Sequence, residues 1–467
     1  MLTQALLQKT LCRTAFCLAF LGLASQVAVR AEDGAAVAQS LGALGNAGGP
    51  DPDHGMPIEG WLVFPSFFAG GVFNDNVYNT NFNRKSAFGL RLLPSFEASN
   101  DSGIYQTTVY GTLDAQIYPG TFESGSSLAS SLPTTSANSI QGRAGFSHIY
   151  KPMEDLAFDV IFDYSRQIGL FGSGFGAGGP SIDVPTAIVP TGVPQYSNQW
   201  TGLVAVEKKI TDQSFVELRG GIQGLIYQNP ENSAINFALP GGGAALPTQQ
   251  NGVIYTVSAR VGYWVAPAFY MFVEPGGAFH NYQIFQSDTD GYSIVSGIGS
   301  DQIGLLRGEI YSGYQRQTSV YGLFEPVSSP DFSARFYYYP TPYLTITVTA
   351  DETIGSATPS VFSPTVGSGT RTFQAKLQGD YGFSPYWTAS LRGGYGETNY
   401  AGLPRTDTAW TVGLSASYTF WRNVALTFDY QFMRTGTNAQ QLAGAAAGFE
   451  LGGFTQNLVT AGITYRY

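Results

Sequence analysis

Charge, cysteine, histidine and long apolar runs are all scarce in this chain. Only 12% of its 467 residues are charged, about half the usual share of a soluble protein. Both cysteines, Cys12 and Cys17, lie in the first thirty residues. There Lys9 and Arg13 flank a short apolar core, residues 15–24 (AFCLAFLGLA), followed by small residues. That pattern is a secretory leader with cleavage after Ala31 or near Ser25, too short in its core to span a bilayer. The chain beyond it carries no thiol, which excludes disulfides, Cys metal sites and Cys nucleophiles. Nor does it contain an apolar run of about 18 residues, which excludes helical membrane spans. Its histidines are only three, His54, His148 and His280, and they stand far apart. The sequence offers no catalytic set, no metal site and no cofactor motif, and is not read as an enzyme.

What remains is rich in glycine (58 residues) and aromatics (14%), with 43% hydrophobic residues overall. Low charge, abundant Tyr and Phe and no long apolar run is the composition of a membrane β-barrel, in which apolar residues occupy alternate positions. A soluble β-solenoid would show a repeat period, and none is present. Three of the 23 basic residues leave with the leader, so 20 bases face 33 acids. That acidic balance disfavours nucleic acid as a partner. Residues 32–57 are small, Gly/Pro-rich and unpatterned, the composition of a flexible periplasmic tail.

From residue 58 the chain reads as extended segments of about 10–16 residues separated by turn signals. In residues 105–118, Tyr105, Thr107, Val109, Leu113 and Ile117 share one face, and Gln106, Thr108, Tyr110, Asp114 and Gln116 the other. Residues 373–381, 410–420 and 424–432 alternate in the same way. The last stretch, 454–467 (FTQNLVTAGITYRY), keeps the period to its final residue. A sandwich would use shorter strands. Short and long connections alternate along the chain, the asymmetry of an outer-membrane barrel. The count is 18 antiparallel up-and-down strands, with 16 as the alternative. The least patterned are the first strand, apolar on both faces, and the one near Gly291. Tyr150, Trp264, Phe269, Tyr270, Tyr343, Tyr386, Trp387, Phe420 and Trp421 gather beside the short turns, as an interfacial aromatic girdle would.

Residues 71–101 resemble the opening of the β-barrel porin 2 family of Gram-negative bacteria. The resemblance is carried by Asp75 and Asn76 and by the strand containing Pro94 and Phe96. A second match runs over residues 305–316 (LLRGEIYSGYQR) and then 342–353. It implies a porin-type barrel in the outer membrane and brings no catalytic or ligand-binding residue.

A barrel of 16–18 strands is too wide to fill with side chains, so function belongs on the lumen face. Alternation turns seven arginines inward: Arg91, Arg143, Arg219, Arg260, Arg307, Arg335 and Arg392. Lys376 stands at a similar level. Asp159, Glu217, Glu274, Glu309 and Asp429 share the zone, with Asp114 higher. Two readings fit. One is a charged constriction whose opposed rings select solutes. The other is a set of strand-to-strand ion pairs on a wet wall.

The Gly-rich stretches 172–180 and 239–247 join no strand to a helix and read as external loops rather than phosphate loops. Residues 288–291 (DTDG) lack the acidic twelfth ligand of a Ca²⁺ loop and read as a turn. The expected partners are outer-membrane lipid, the barrel-assembly machinery and small solutes or ions. Trimerisation is left open. The expected function is passive diffusion of small hydrophilic solutes, against export of a surface polymer or a structural barrel with binding loops. Tyr465 and Tyr467 are the expected C-terminal assembly signal.

Overall fold

The computed structural model describes residues 55–77, 79, 84–119, 137–169, 195–227, 251–283, 288–322, 325–356, 369–401, 406–438 and 453–467. The leader, most of the tail, His54 and both Gly-rich loops lie outside the described residues. In chain order the strands are β1 (Met56–Ile58), β2 (Trp61–Asn74), β3 (Ala87–Asp101), β4 (Tyr105–Ile117), β5 (Ser139–Met153), β6 (Leu156–Gly169), β7 (Gln195–Lys209), β8 (Ser214–Tyr227), β9 (Gly252–Ala266) and β10 (Phe269–Tyr282). They continue as β11 (Thr289–Ile303), β12 (Leu306–Ser319), β13 (Val327–Thr341), β14 (Leu344–Ser356), β15 (Gly369–Ser384), β16 (Trp387–Tyr400), β17 (Thr406–Trp421), β18 (Val424–Thr437) and β19 (Thr455–Arg466).

Each strand from β2 onward pairs antiparallel with the next, and β19 pairs back onto β2, from Leu458 opposite Asn74 to Arg466 opposite Ser66. The result is a closed barrel of 18 strands, which sets the 16-strand alternative aside. Closure leaves no barrel edge to pair with another chain. At about 4.8 Å between strands and a tilt of about 40°, 18 strands enclose a cylinder roughly 35 Å across, backbone to backbone. Turns of two to four residues connect the strands at one end, and longer links connect them at the other. In outer-membrane barrels the short turns face the periplasm.

Among the boundaries that differ from the sequence reading are those of the two least patterned strands. The first barrel strand begins at Trp61, because Met56–Ile58 folds back on it as a separate short strand. Glu59 and Gly60 both have positive φ, as a two-residue hairpin turn requires. The strand near Gly291 is full length, Thr289–Ile303. Asp288 accepts the Tyr282 amide (2.8 Å), so 289–291 opens a strand rather than making a loop turn.

Exposure alternates along the strands. Phe88, Leu90, Ile140, Val261, Leu391, Val412 and Ile463 are exposed on the outer face, where lipid is the natural partner. Tyr343, Tyr386, Trp387, Phe420 and Trp421 are exposed at the short-turn end, as a girdle demands. Trp264 and Tyr270 depart from that expectation. They sit on the inner wall with Phe215 and Phe272, Trp264 in phase with Arg260 four residues before it and Tyr270 in phase with Glu274 four residues after it.

The seam between β19 and β2 is extended above its last ladder pair by a polar clasp. Asp75 accepts the Asn457 amide and side-chain Nδ2, both at 2.6 Å, and its own amide donates to the Asn457 carbonyl (3.1 Å). Asn76, 0% exposed, donates from Nδ2 to the Thr455 carbonyl (2.9 Å). Gln456 Nε2 reaches Asn74, Asn76 and Asn79.

A second irregularity lies between β13 and β14. Their ladder ends at Phe332 opposite Glu352, although both strands continue beyond it. Pro330 has no N–H to give the ladder. The Gln315 side chain, from β12, takes its place: Nε2 donates to the carbonyls of Pro330 (2.9 Å) and Glu352 (3.1 Å), and Oε1 accepts the Ile354 amide (3.2 Å).

Candidate functional site: the inner wall

Cross-strand partners share a face, so the register fixes which residues look inward. All seven predicted arginines, Lys376 and the predicted acids fall on the inner face. Arg335 lies opposite Glu309 on one side and Thr349 on the other, and Lys376 follows Thr349. Asp159 is buried opposite Ala205, which in turn faces Arg219. Arg307 pairs with Tyr337.

The predicted residues do not form a single ring. They gather into local groups, each holding its charges against the wall. Arg91 grips Asp114 through two bonds, Nε to Oδ1 (2.9 Å) and Nη2 to Oδ2 (2.6 Å). Arg143 donates to Asp163 (2.6 Å), which also accepts the Tyr110 hydroxyl (2.7 Å). Arg392 reaches from β16 past β17 to Asp429 on β18 (2.5 Å).

The largest group spans β8 to β12. Arg260 donates from Nε to Glu274 (2.6 Å) and from Nη1 and Nη2 to Glu309 (2.9 and 3.1 Å), with Glu217 3.7 Å from Nε. Its guanidinium carbon lies 4.0 Å above the Phe272 ring centre. Arg219 bonds Glu217, and the Tyr270 hydroxyl donates to Glu309 (2.6 Å). Three carboxylates thus surround two guanidiniums. The planar fork of arginine suits such shared contacts in a way that a lysine ammonium does not.

Five of the seven arginines therefore bond a carboxylate on their own or a nearby strand, the arrangement of the strand-to-strand reading. Sequence reasoning had placed Asp114 above the charged zone and passed over Asp163, Tyr110 and Tyr270. Asp163 stands four residues after Asp159 on the same inner face, and that spacing was a signal for it. The outward histidine, His148, is 2.8 Å from Thr107 Oγ1, and the inward one, His280, is 3.1 Å from the Tyr282 hydroxyl.

A closed 18-strand barrel with an apolar outer belt and a polar, charged inner wall defines an outer-membrane β-barrel of transport type. The family model described as Putative beta-barrel porin 2 matches residues 51–464, and the chain belongs to that family. A comparison with curated proteins finds no match. Among solved structures, the chain is similar to the FrpB iron transporter from Neisseria meningitidis (F3-3 variant). The identity is 9%, the TM-score 0.39, and 92% of this chain and 83% of that one are covered. It is similar to the siderophore receptor PirA from Acinetobacter baumannii, with 6% identity, TM-score 0.41 and coverage of 86% and 80%. A third similarity is to an anion-selective porin from Comamonas acidovorans, with 13% identity, TM-score 0.33 and coverage of 87% and 99%. Likenesses this loose do not bear on cargo.

Proposed function

We propose that the barrel is a passive channel for small hydrophilic solutes and ions, with a weak preference for cations. One observation carries the reading. Five of the seven inward arginines bond carboxylates along the wall, and no side chain is long enough to cross a barrel roughly 35 Å wide between backbones. Such a lining is wet and polar and holds no steep binding site, which suits diffusion better than capture. Membership of the porin family supports the same reading.

The sign of the preference follows from the balance of charge. Besides the groups described above, Glu97, Asp159, Glu207, Asp331, Asp351 and Asp380 also face inward, against Arg307, Arg335, Lys376 and Arg466. Excess carboxylate raises the local concentration of cations.

The test is reconstitution of folded protein into a planar bilayer. Stepwise current in KCl is expected, with a reversal potential of cation sign under a salt gradient. Folded protein that passes no current would refute the channel. A reversal potential of anion sign would refute the preference while leaving the channel standing.

A further inference from the structure

Several of the largest inward side chains are almost wholly covered, although they line a wide barrel: Tyr110 (2% exposed), Phe272 (3%), Arg392 (6%) and Tyr270 (7%). Each lies flat across a glycine of the next strand. Tyr110, Gly145 and Asp163 are consecutive partners across β4, β5 and β6, and the tyrosine hydroxyl reaches the aspartate over the glycine. Tyr270, Gly299 and Glu309 repeat this across β10, β11 and β12, and Phe272, Gly297 and Tyr311 do so beside them. Arg392 passes over its partner Gly413 to reach Asp429.

In each case a β-carbon on the glycine would occupy the volume of the bridging side chain. At Gly299 it would lie 2.2 Å from Tyr270 Cζ and 2.3 Å from the hydroxyl. At Gly413 it would lie 2.8 Å from Arg392 Nε, and at Gly145 2.5 Å from the Tyr110 hydroxyl and equally close to the Phe162 carbonyl, so there the backbone as well as the ring would have to move. Rings lie across glycines on the outer face as well, Phe96 over Gly111, Trp200 over Gly224 and Phe336 over Gly308, but only the inner-wall glycines bear on the lumen; around the outward Gly379 and Gly393 nothing lies within 4 Å of such an atom. Glycine within a strand weakens it unless another group makes a close approach there. The inner-wall glycines have that approach, and the ladder on both sides holds their backbone in place.

We propose that these glycines set the width of the lumen, by giving large side chains a bed on the wall instead of a position in the bore. The proposal rests on the channel reading and adds to it the residues that determine the size limit for solutes. A methyl group at Gly299 would lift the Tyr270 ring off the wall, break its bond to Glu309 and turn it inward. Each side chain so displaced removes roughly 30 Å² from a lumen cross-section of roughly 300 Å² once wall side chains are allowed for.

The test uses Gly299→Ala, Gly413→Ala and the double variant that combines them, with Gly379→Ala and Gly393→Ala as outward controls. Folding is checked by heat-modifiable mobility on gels, and single-channel current is read in KCl, with polyethylene glycols of graded size as blockers. The expected result is a conductance lower by about a tenth in each single inner variant and about a fifth in the double, from the areas above. A smaller polymer cut-off should accompany it, and the controls should match the natural protein. Tyr270→Ala combined with Gly299→Ala should recover the lost conductance, since no ring remains to be displaced. Should Gly299→Ala fail to fold, Gly413→Ala decides alone, because the flexible end of Arg392 can move aside. Folded inner variants with unchanged conductance and cut-off would overturn the proposal, as would an equal loss in the controls. A natural protein without current would instead overturn the channel reading.

Discussion

Replacing Gln315 by leucine tests whether one side chain closes the wall where the ladder does not. Gln315 makes three hydrogen bonds to backbone groups of β13 and β14, at 2.9, 3.1 and 3.2 Å. Leucine is close in volume and supplies none of them. At about 1 kcal/mol net per bond, the loss is about 3 kcal/mol, and more if an orphaned group has no water to turn to. Gln378→Leu is the control, since that amide reaches only the neighbouring Asp380 carboxylate and bridges no strands. Urea unfolding in lipid vesicles measures the stability difference. Hydrogen exchange locates it, because the Ile354 amide donates to Gln315 and should lose protection first. A Gln315→Leu protein within 1 kcal/mol of the natural one, with Ile354 still protected, would refute the assignment of Gln315 as the substitute for the missing ladder.

Three further outcomes are expected. Arg392→Met alone should destabilise by about 3 kcal/mol by leaving Asp429 buried without its partner, whereas Arg392→Met with Asp429→Leu should be nearly neutral in the same unfolding assay. Asp75→Ala removes both acceptors of the Asn457 bonds at the seam; a loss of about 3 kcal/mol, at the low end for two bonds to a charged group, should appear as a lower heat-modification temperature. Deletion of Tyr467 should reduce the yield of inserted barrel more than the conductance of the barrels that form. Normal insertion without it would end the role proposed for Tyr465 and Tyr467 as an assembly signal.

The strands were legible in the sequence because lipid on one side and water on the other impose a period of two on every one of them. Alternation put Arg91, Arg143, Arg219, Arg260, Arg307, Arg335 and Arg392 on one face without any knowledge of their neighbours, and the strand register gives them that same face. What each arginine bonds was not legible. The partner of Arg392 is Asp429, two strands away, and the sequence does not record that Gly413 lets the side chain pass. Trp264 and Tyr270 were misplaced because nearness to a short turn was read as a girdle position, although alternation from Arg260 and Glu274 turns both rings inward. The strand at Gly291 looked weak for a related reason. Its inward positions include Gly291, Gly297 and Gly299, so the face that should have been polar throughout shows little beyond Thr289 and Ser293. Glycines at alternate positions within a strand were the available sign that neighbouring side chains lie across them. Pro330 was likewise the available sign of a break in the ladder.

The form of the charge on the wall bears on how a channel of this kind could discriminate. Opposed rings of fixed charge would set a field across the lumen. Here Arg91 with Asp114, Arg143 with Asp163 and Arg392 with Asp429 keep their charges within 2.9 Å of each other and parallel to the wall. The field of such a pair falls off faster than that of a lone charge, and salt screens it further within about 8 Å at physiological strength. Solutes in the middle of a bore roughly 35 Å wide between backbones would feel little of it. Only the residual carboxylate excess acts at that range, which is why the preference expected for cations is weak. Selection by size then has to come from the shape of the wall, and on the described wall that shape depends on which side chains can lie flat.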